Sequence, residues 1–251
     1  MEMKHRQKHI SLGCSNQGFT IVELMVAMVV SLLAMAAIYS TFQAQFKSYQ
    51  VQGEAADMQQ NIRAAMYYMQ REIRMAGSNP WKSLPLSAFG VTVAGQNSIT
   101  FTEDVNGGVP GMPPDGAITA TAAASENITY NLDANRNLIR TVGGVGQVVA
   151  QNIDWLDFVY LDGGSPPTYT PNPIPFDVSG NVSAANLSQI RSVEITIVAR
   201  TNDPLLYGTT NNNVYTNQQP LPPARASFGP VGDNVSRRRL TTQIYCRNLD
   251  L

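Results

Sequence analysis

The longest apolar run of the chain lies near its N-terminus, between Leu24 and Tyr39. Its only polar groups are the side chain of Ser31 and the hydroxyl of Tyr39. Together with residues 19–22, the run reaches the roughly 20 residues that an α-helix needs to cross a bilayer. The pattern predicts a membrane-spanning helix over residues 19–39. The apolar side chains of this helix include Leu24, Val26, Val29, Leu32, Leu33 and Ile38.

A second pattern continues the helix beyond Tyr39, because apolar residues recur at intervals of three and four while polar residues fill the other positions. Such spacing is typical of one face of an amphipathic helix. Gly77 can cap a helix C-terminus, and Pro80, the first proline of the chain, ends it. We expect one helix over residues 19–76 whose second half packs onto a globular domain. Its apolar face comprises Phe42, Phe46, Tyr49, Met58, Ile62, Ala65, Met66, Met69 and Ile73.

From residue 77 to 251 the chain is rich in glycine, proline, asparagine, serine and threonine, which surround short segments of alternating apolar and polar residues. This pattern is typical of β-strands joined by turns. We therefore predict an α+β fold, in which the long N-terminal helix packs on a C-terminal antiparallel β-sheet domain. The predicted strands are residues 97–103, 127–131, 137–142, 153–161, 192–199 and 238–247, separated by irregular stretches at 105–116, 163–187 and 202–234.

The first 18 residues carry Lys4, Arg6 and Lys8 against the single acid Glu2, and they contain no apolar run. A secretory signal peptide has its apolar core before the cleavage site, whereas here the apolar segment follows Gly18. Basic residues flanking a membrane helix stay on the cytoplasmic side. We expect residues 1–18 to form a cytoplasmic leader and the domain beyond Tyr39 to lie outside the cytoplasm.

Glu23 lies inside the apolar segment. An unpaired charge there costs about 2.5–3.5 kcal/mol at the helix centre and less near the membrane edge. Cleavage after Gly18 would create a positively charged amine on Phe19 that could pair with Glu23 of a neighbouring subunit. An interfacial glutamate that points to the lipid headgroups explains the same position. The residues alone leave both interpretations open.

The sequence Gln17-Gly18-Phe19-Thr20-Ile21-Val22-Glu23-Leu24 resembles the processing signal of type IV prepilins and of type II secretion pseudopilins. The resemblance implies that prepilin peptidase cuts between Gly18 and Phe19 and methylates the new N-terminus at Phe19. It also implies that Glu23 directs docking into a filament.

Four later segments, residues 69–77, 152–160, 191–200 and 239–248, are similar to PilW-like minor pilins, and the first three also to J-type pseudopilins. The resemblance implies a minor pilin that helps to initiate and assemble a type IV pilus, at or near its tip. Implied partners are prepilin peptidase, other major and minor pilins, the inner-membrane assembly platform and membrane lipid. The implied location is the inner membrane, with the C-terminal domain periplasmic, and then the extracellular pilus. The absence of a cysteine pair after the leader means that no disulfide-bonded loop is carried over.

Composition narrows the possible functions. The formal net charge is -1, which gives no reason to expect nucleic acid as a partner. His5, His9 and Cys14 all precede Gly18, so the processed chain would keep only Cys246 among its histidines and cysteines. That excludes His-dependent triads, His/Cys zinc sites and internal disulfides. We expect no cofactor, no metal and no catalytic site, and interpret the chain as a non-enzyme.

Several short motifs are interpreted as structural features and not as functional sites. Cys246 is predicted to be a small buried apolar residue, and residues 143–146 a hairpin turn, not a phosphate loop. The acidic stretch 103–116 is predicted to be a solvated turn and not a calcium site. Residues 237–239, three arginines, are predicted to form a solvated strand edge, and Asp154 and Asp157 to point to opposite faces of a strand.

Three other functions stay open. The chain could be a J-type pseudopilin of a type II secretion system. It could be an adhesive or DNA-binding tip protein. It could also be a membrane-anchored extracytoplasmic enzyme that uses carboxylates alone, which would need paired acids in a cleft.

Overall fold

The computed structural model describes residues 18–81, 89–107, 111–118, 126–164, 171–202, 204, 210–218 and 226–249. The chain divides into two compact units, Met1–Gln50 and Val51–Leu251. The predicted long helix is confirmed as α1, Ile21–Met75, which begins in the first unit and ends in the second. An α+β fold with a long N-terminal helix packed on antiparallel sheets is therefore correct.

In the first unit, every described side chain from Gly18 to Gln50 is exposed. Among the described residues, α1 is the one helix that is long and apolar enough to cross a membrane. Phe42 and Phe46, predicted on the apolar face, stack with ring centroids 6.5 Å apart but remain exposed. This half of the helix thus presents its apolar surface outward along its whole length.

In the second unit, α1 buries one face against the sheets. The buried positions recur at intervals of three and four, because that spacing returns side chains to the same side of a helix. They confirm the second half of the predicted apolar face and comprise Met58, Ile62, Ala65, Met66, Met69 and Ile73.

The first sheet is a five-stranded meander. Its strands are β1 (Gly90–Ala94), β2 (Ser98–Thr102), β3 (Asn127–Leu132), β4 (Leu138–Val142) and β5 (Val145–Ala150), and they lie in chain order. The β4–β5 turn is built from Gly143 and Gly144, whose φ angles are +54° and +83°. Positive φ at both central residues is the requirement of a tight two-residue hairpin, so the predicted hairpin turn is confirmed.

The second sheet has three strands, β6 (Ile153–Leu161), β7 (Ser192–Arg200) and β10 (Arg237–Tyr245), in the order β10-β7-β6. Two short strands, β8 (Tyr215–Thr216) and β9 (Ser227–Phe228), pair with each other. A 3₁₀ turn, Ala184–Gln189, precedes β7. One face of the three-stranded sheet contributes Leu156, Phe158, Tyr160, Val193, Ile195 and Ile197 to the same core as the helix.

Asn248 and Leu249 contact the C-terminal end of α1. Gly77 has φ +82°, as a C-terminal helix cap requires, and a Cβ there would lie 2.7 Å from Leu249 Cδ2. Asn248 Nδ2 donates a hydrogen bond of 3.2 Å to the carbonyl oxygen of Met75. Cys246 is buried, as predicted, and its burial raises the pKa of the thiol to about 12.

Candidate functional site

The predicted processing site lies just before the helix. Gly18 and Phe19 precede α1, and Phe19 is 84% exposed. Apart from the immediate chain neighbours, no heavy atom of the described residues lies within 4 Å of the position that a Cβ on Gly18 would occupy, so packing among those residues does not require glycine there.

Glu23 lies in the first turn of α1, where it forms a capping box with Thr20. The backbone N–H of Glu23 donates to Thr20 Oγ1 at 3.3 Å, and the backbone N–H of Thr20 donates to Glu23 Oε2 at 3.5 Å. This reciprocal pair satisfies donors that the first turn of a helix otherwise leaves without an acceptor. A carboxylate at this end is also favoured by the helix dipole. The sequence carried the signal for this motif, a threonine followed three residues later by glutamate, and sequence reasoning missed it.

The structure thus supplies a third interpretation of Glu23, as a residue that starts the helix. The capping bonds are long, and the carboxylate is exposed. Its position in the first turn leaves it available to a cation from another chain. The predicted membrane residues Leu24, Val26, Val29, Leu32, Leu33 and Ile38 all follow it on α1 and are all more than half exposed.

A charged network joins α1 to the five-stranded sheet in the second unit. Arg140 donates from Nε and Nη2 to Glu72 Oε1, each at 2.9 Å, and Tyr130 donates to Glu72 Oε2 at 2.6 Å. The side chains of Arg140 and Glu72 are 15% and 17% exposed, and Tyr130 is fully buried. Burial, with the Glu72 charge beside it, raises the pKa of the Tyr130 hydroxyl well above its usual range. This network ties the helix to β3 and β4.

A second ionic cluster surrounds the buried carboxylate of Asp154. Arg237 Nε donates to Asp154 Oδ2 at 2.5 Å and its other nitrogens bind Asp233, while Arg136 Nε lies 3.1 Å from Asp154 Oδ1. The Arg237 side chain is only 2% exposed, so the predicted solvated edge is wrong for this residue. Hydrogen bonds from Arg237 lower the pKa of Asp233 to about 2. The cluster fastens the segment before β10 to β6.

Asp157, on the other hand, belongs to a separate polar layer. It accepts hydrogen bonds from Gln96 Nε2 at 3.2 Å and Asn217 Nδ2 at 3.0 Å. Burial raises the pKa of this carboxyl to about 6, and the nearby Glu194 adds to the shift. Asp154 and Asp157 therefore have different hydrogen-bond partners.

The acidic stretch after β2 differs from its prediction. Glu103 is 6% exposed and Asp104 is 1% exposed, so the expected solvated turn is wrong for both residues. Asp104 Oδ2 accepts the backbone N–H of Gly116 at 2.9 Å. The sequence could not show this burial, because it depends on the helix packing above the stretch.

One polar cleft bears on the enzyme alternative. Glu54 and Asp57 line a cavity of about 450 Å³ together with Arg200. Glu54 Oε2 accepts the backbone N–H of Asn202 at 3.0 Å, which anchors the start of the packed half of α1 to the end of β7. This hydrogen bond gives Glu54 a structural role.

Comparison with known proteins supports the processing motif. Residues 14–39 match the family described as the prokaryotic N-terminal methylation motif. A type IV-like pilin from Thermus thermophilus is similar in structure over 76% of this chain and 97% of that chain, with 10% sequence identity and a TM-score of 0.43. No curated protein matches the sequence. The chain thus carries the N-methylation motif of prepilins, over the segment that holds Gly18, Phe19 and Glu23.

Proposed function

We propose that this chain is a minor pilin, cleaved between Gly18 and Phe19 by prepilin peptidase and methylated on Phe19. It helps to initiate and assemble a type IV pilus, at or near the tip, and performs no catalysis. The observation that carries the proposal is the methylation motif at residues 14–39, which overlaps the start of α1, where the apolar side chains from Ile21 to Tyr49 are exposed.

Two physical features support processing at this position. Gly18 has open space around it and precedes the helix, so the fold itself does not explain the glycine, whereas recognition by a peptidase does. The scissile bond also lies in exposed backbone, accessible to an enzyme.

The exposed apolar half of α1 supports assembly. In water such a surface is strongly unfavourable, at about 25 cal/mol for each Å² of apolar area. The membrane covers it before assembly, with the leader cytoplasmic and the β-domain periplasmic. The filament core covers it afterwards. The new amine on Phe19 pairs with Glu23 of the adjacent subunit and sets the register between helices.

A J-type pseudopilin of a type II secretion system would use the same chemistry in another machine. An adhesive or DNA-binding tip function would add a ligand without changing the assembly steps. Deleting the gene separates the minor pilin from the pseudopilin. Loss of surface pili would indicate a pilin, and loss of protein secretion would indicate a pseudopilin.

The direct test is mass spectrometry of the N-terminus in cells with and without prepilin peptidase. We expect methylated Phe19 in the first and an intact leader in the second. A mature protein that keeps its leader in peptidase-positive cells would refute processing.

The role of Glu23 needs a matched pair of variants, because the residue both caps the helix and offers a charge. Thr20→Val removes the hydroxyl half of the capping box and keeps the carboxylate, whereas Glu23→Gln keeps a side chain able to cap and removes the charge. If intersubunit pairing is correct, Glu23→Gln reduces incorporation into pili and Thr20→Val does not. A defect in Thr20→Val with none in Glu23→Gln would indicate that capping alone matters.

A further inference from the structure

A groove runs beside the last turns of α1, on the side of the helix away from the core. It encloses about 660 Å³ and lies between the helix and the chain that follows β2. Its lining includes Tyr67, Tyr68, Arg71, Arg74, Met75 and Glu103.

The walls of the groove are apolar and exposed. Tyr67 is 62% exposed, Tyr68 47% and Met75 42%. The two tyrosine rings meet edge to face, with centroids 5.9 Å apart. Exposed aromatic side chains that flank a concave surface are typical of binding sites, since they offer large contact area at low conformational cost.

The rim of the groove is positively charged. Arg71 and Arg74 are exposed on α1. The neighbouring acid on this helix, Glu72, is bound instead by Arg140 and Tyr130. Within the part of the chain that the structure describes, neither of these arginines forms an ion pair. The groove therefore complements an acidic partner.

The floor of the groove carries a buried carboxyl group. Glu103 is 6% exposed, and among the described residues its Oε2 atom has no hydrogen-bond partner. A buried polar group without a partner is unfavourable and marks a position where a ligand can supply one.

We propose that this groove binds an acidic segment of a partner protein, whose carboxylates pair with Arg71 and Arg74 while an apolar side chain lies against Tyr67, Tyr68 and Met75. Protonated Glu103 donates its O–H to the same segment, and ionised Glu103 repels it. The inference concerns the second unit alone, and it can fail without affecting the proposed processing at Gly18.

Several charges face Glu103 and set its titration. Burial and the carboxylates of Glu72 on α1 and Glu126 before β3 raise its pKa to about 7, while Arg140 on β4 and Arg71 on α1 oppose the rise. Tyr130 on β3 donates to Glu72 and remains neutral. Binding of an acidic segment is therefore stronger below pH 7 than above it.

The test uses the full-length chain in detergent micelles and two fluorescein-labelled twelve-residue peptides. One alternates glutamate with phenylalanine and leucine, and the other has glutamine at each glutamate position. Fluorescence anisotropy is read against empty micelles between pH 6 and pH 8. We expect the acidic peptide to bind at least tenfold more tightly than its amide control, and severalfold more tightly at pH 6 than at pH 8.

Three variants assign the effect to the groove. The double variant Arg71→Ala/Arg74→Ala should lose about tenfold in affinity, while Arg63→Ala, an exposed arginine on α1 outside the groove, should bind as wild type does. Glu103→Gln should bind well at pH 6 and lose the drop towards pH 8. Equal binding of the two peptides, an equal loss in Arg63→Ala, or a pH dependence kept in Glu103→Gln would each overturn the proposal. Self-association of the wild type that the double variant abolishes would identify a second copy as the occupant and overturn the assignment.

Discussion

Removing the Glu72 carboxylate should weaken the attachment of α1 to the five-stranded sheet. In Glu72→Ala, the Arg140 guanidinium stays largely buried without a counter-charge, and the buried Tyr130 hydroxyl loses its acceptor. Removing one partner of a buried ion pair costs about 3–5 kcal/mol, and a hydrogen bond to a charged group contributes about 1.5–3 kcal/mol. Because both charged side chains keep some contact with solvent, we expect a loss near the lower limit, about 3 kcal/mol.

A double variant separates the interaction from simple loss of packing. Glu72→Leu/Arg140→Met removes both charges and keeps apolar volume, so it should be more stable than the sum of the two single changes by about 2 kcal/mol. Tyr130→Phe removes a hydrogen bond to the charged Glu72 carboxylate and should cost about 1.5–3 kcal/mol. The exposed neighbour Arg71→Ala serves as the control and should change stability by less than about 0.5 kcal/mol.

The measurement is urea unfolding of the full-length chain in detergent, followed by the fluorescence of Trp155, which is 8% exposed. Single and double variants should keep the same dependence of the unfolding free energy on urea concentration. If Glu72→Ala loses less than about 1 kcal/mol, or if the variants prove additive, the network does not hold the helix to the sheet.

Four further expectations concern single positions. The raised folded pKa of Asp157 means that its contribution to stability is greatest below pH 4 and falls as the pH rises to about 6, by about 3 kcal/mol. Asp157→Asn should remove that part of the pH dependence in urea titrations, and an unchanged profile would contradict the assignment. Gly77→Ala should destabilise the chain by about 1–3 kcal/mol, because φ is +82° and Leu249 blocks a Cβ; a neutral effect in urea unfolding would refute this. Gly53→Ala, in open space on α1, should raise the unfolding free energy by about 1 kcal/mol, and no gain would indicate that the helix is not regular there. In a Cys14→Ser background, Cys246 should resist maleimide in the native protein and react in urea, whereas rapid native labelling would show that the thiol is accessible.

Local patterns were enough to predict the helix and most strands. The spacing of Met58, Ile62 and Met69 identified the buried face of α1, and the alternation in β7 identified a strand. The strands β1, β5, β8 and β9 were missed. β8 and β9 have only two residues each and lie in the stretch 202–234 that was predicted to be irregular. β1 begins with a glycine and contains a register shift, while β5 is an edge strand with Val145 and Val148 exposed, so neither shows the regular alternation of a half-buried strand.

Long-range contacts account for what the sequence did not show. β7 is buried on both faces because the segment around Asn217 covers its outer side, where Gln218 N–H donates to Glu194 at 3.0 Å. Arg237 is buried because Asp154, distant along the chain, neutralises it. Neither burial can be derived from neighbours in the sequence.

The candidate processing site, unlike these buried residues, could be predicted from neighbouring residues in the sequence. Gly18, Phe19 and Glu23 lie within six residues of one another, and their order alone carried the resemblance. The structure showed in addition that Thr20 and Glu23 form a capping box. Thr20→Val can therefore separate the capping role of the Glu23 carboxylate from its role in intersubunit pairing.

The contact of Leu249 with Gly77 makes closure of the helix end a long-range event. Asn248, which donates to the carbonyl oxygen of Met75, lies 173 positions further along the chain. The last turn of α1 therefore stays open until residues 248 and 249 have docked, and a chain truncated before Asn248 should keep a frayed helix end that proteases can attack.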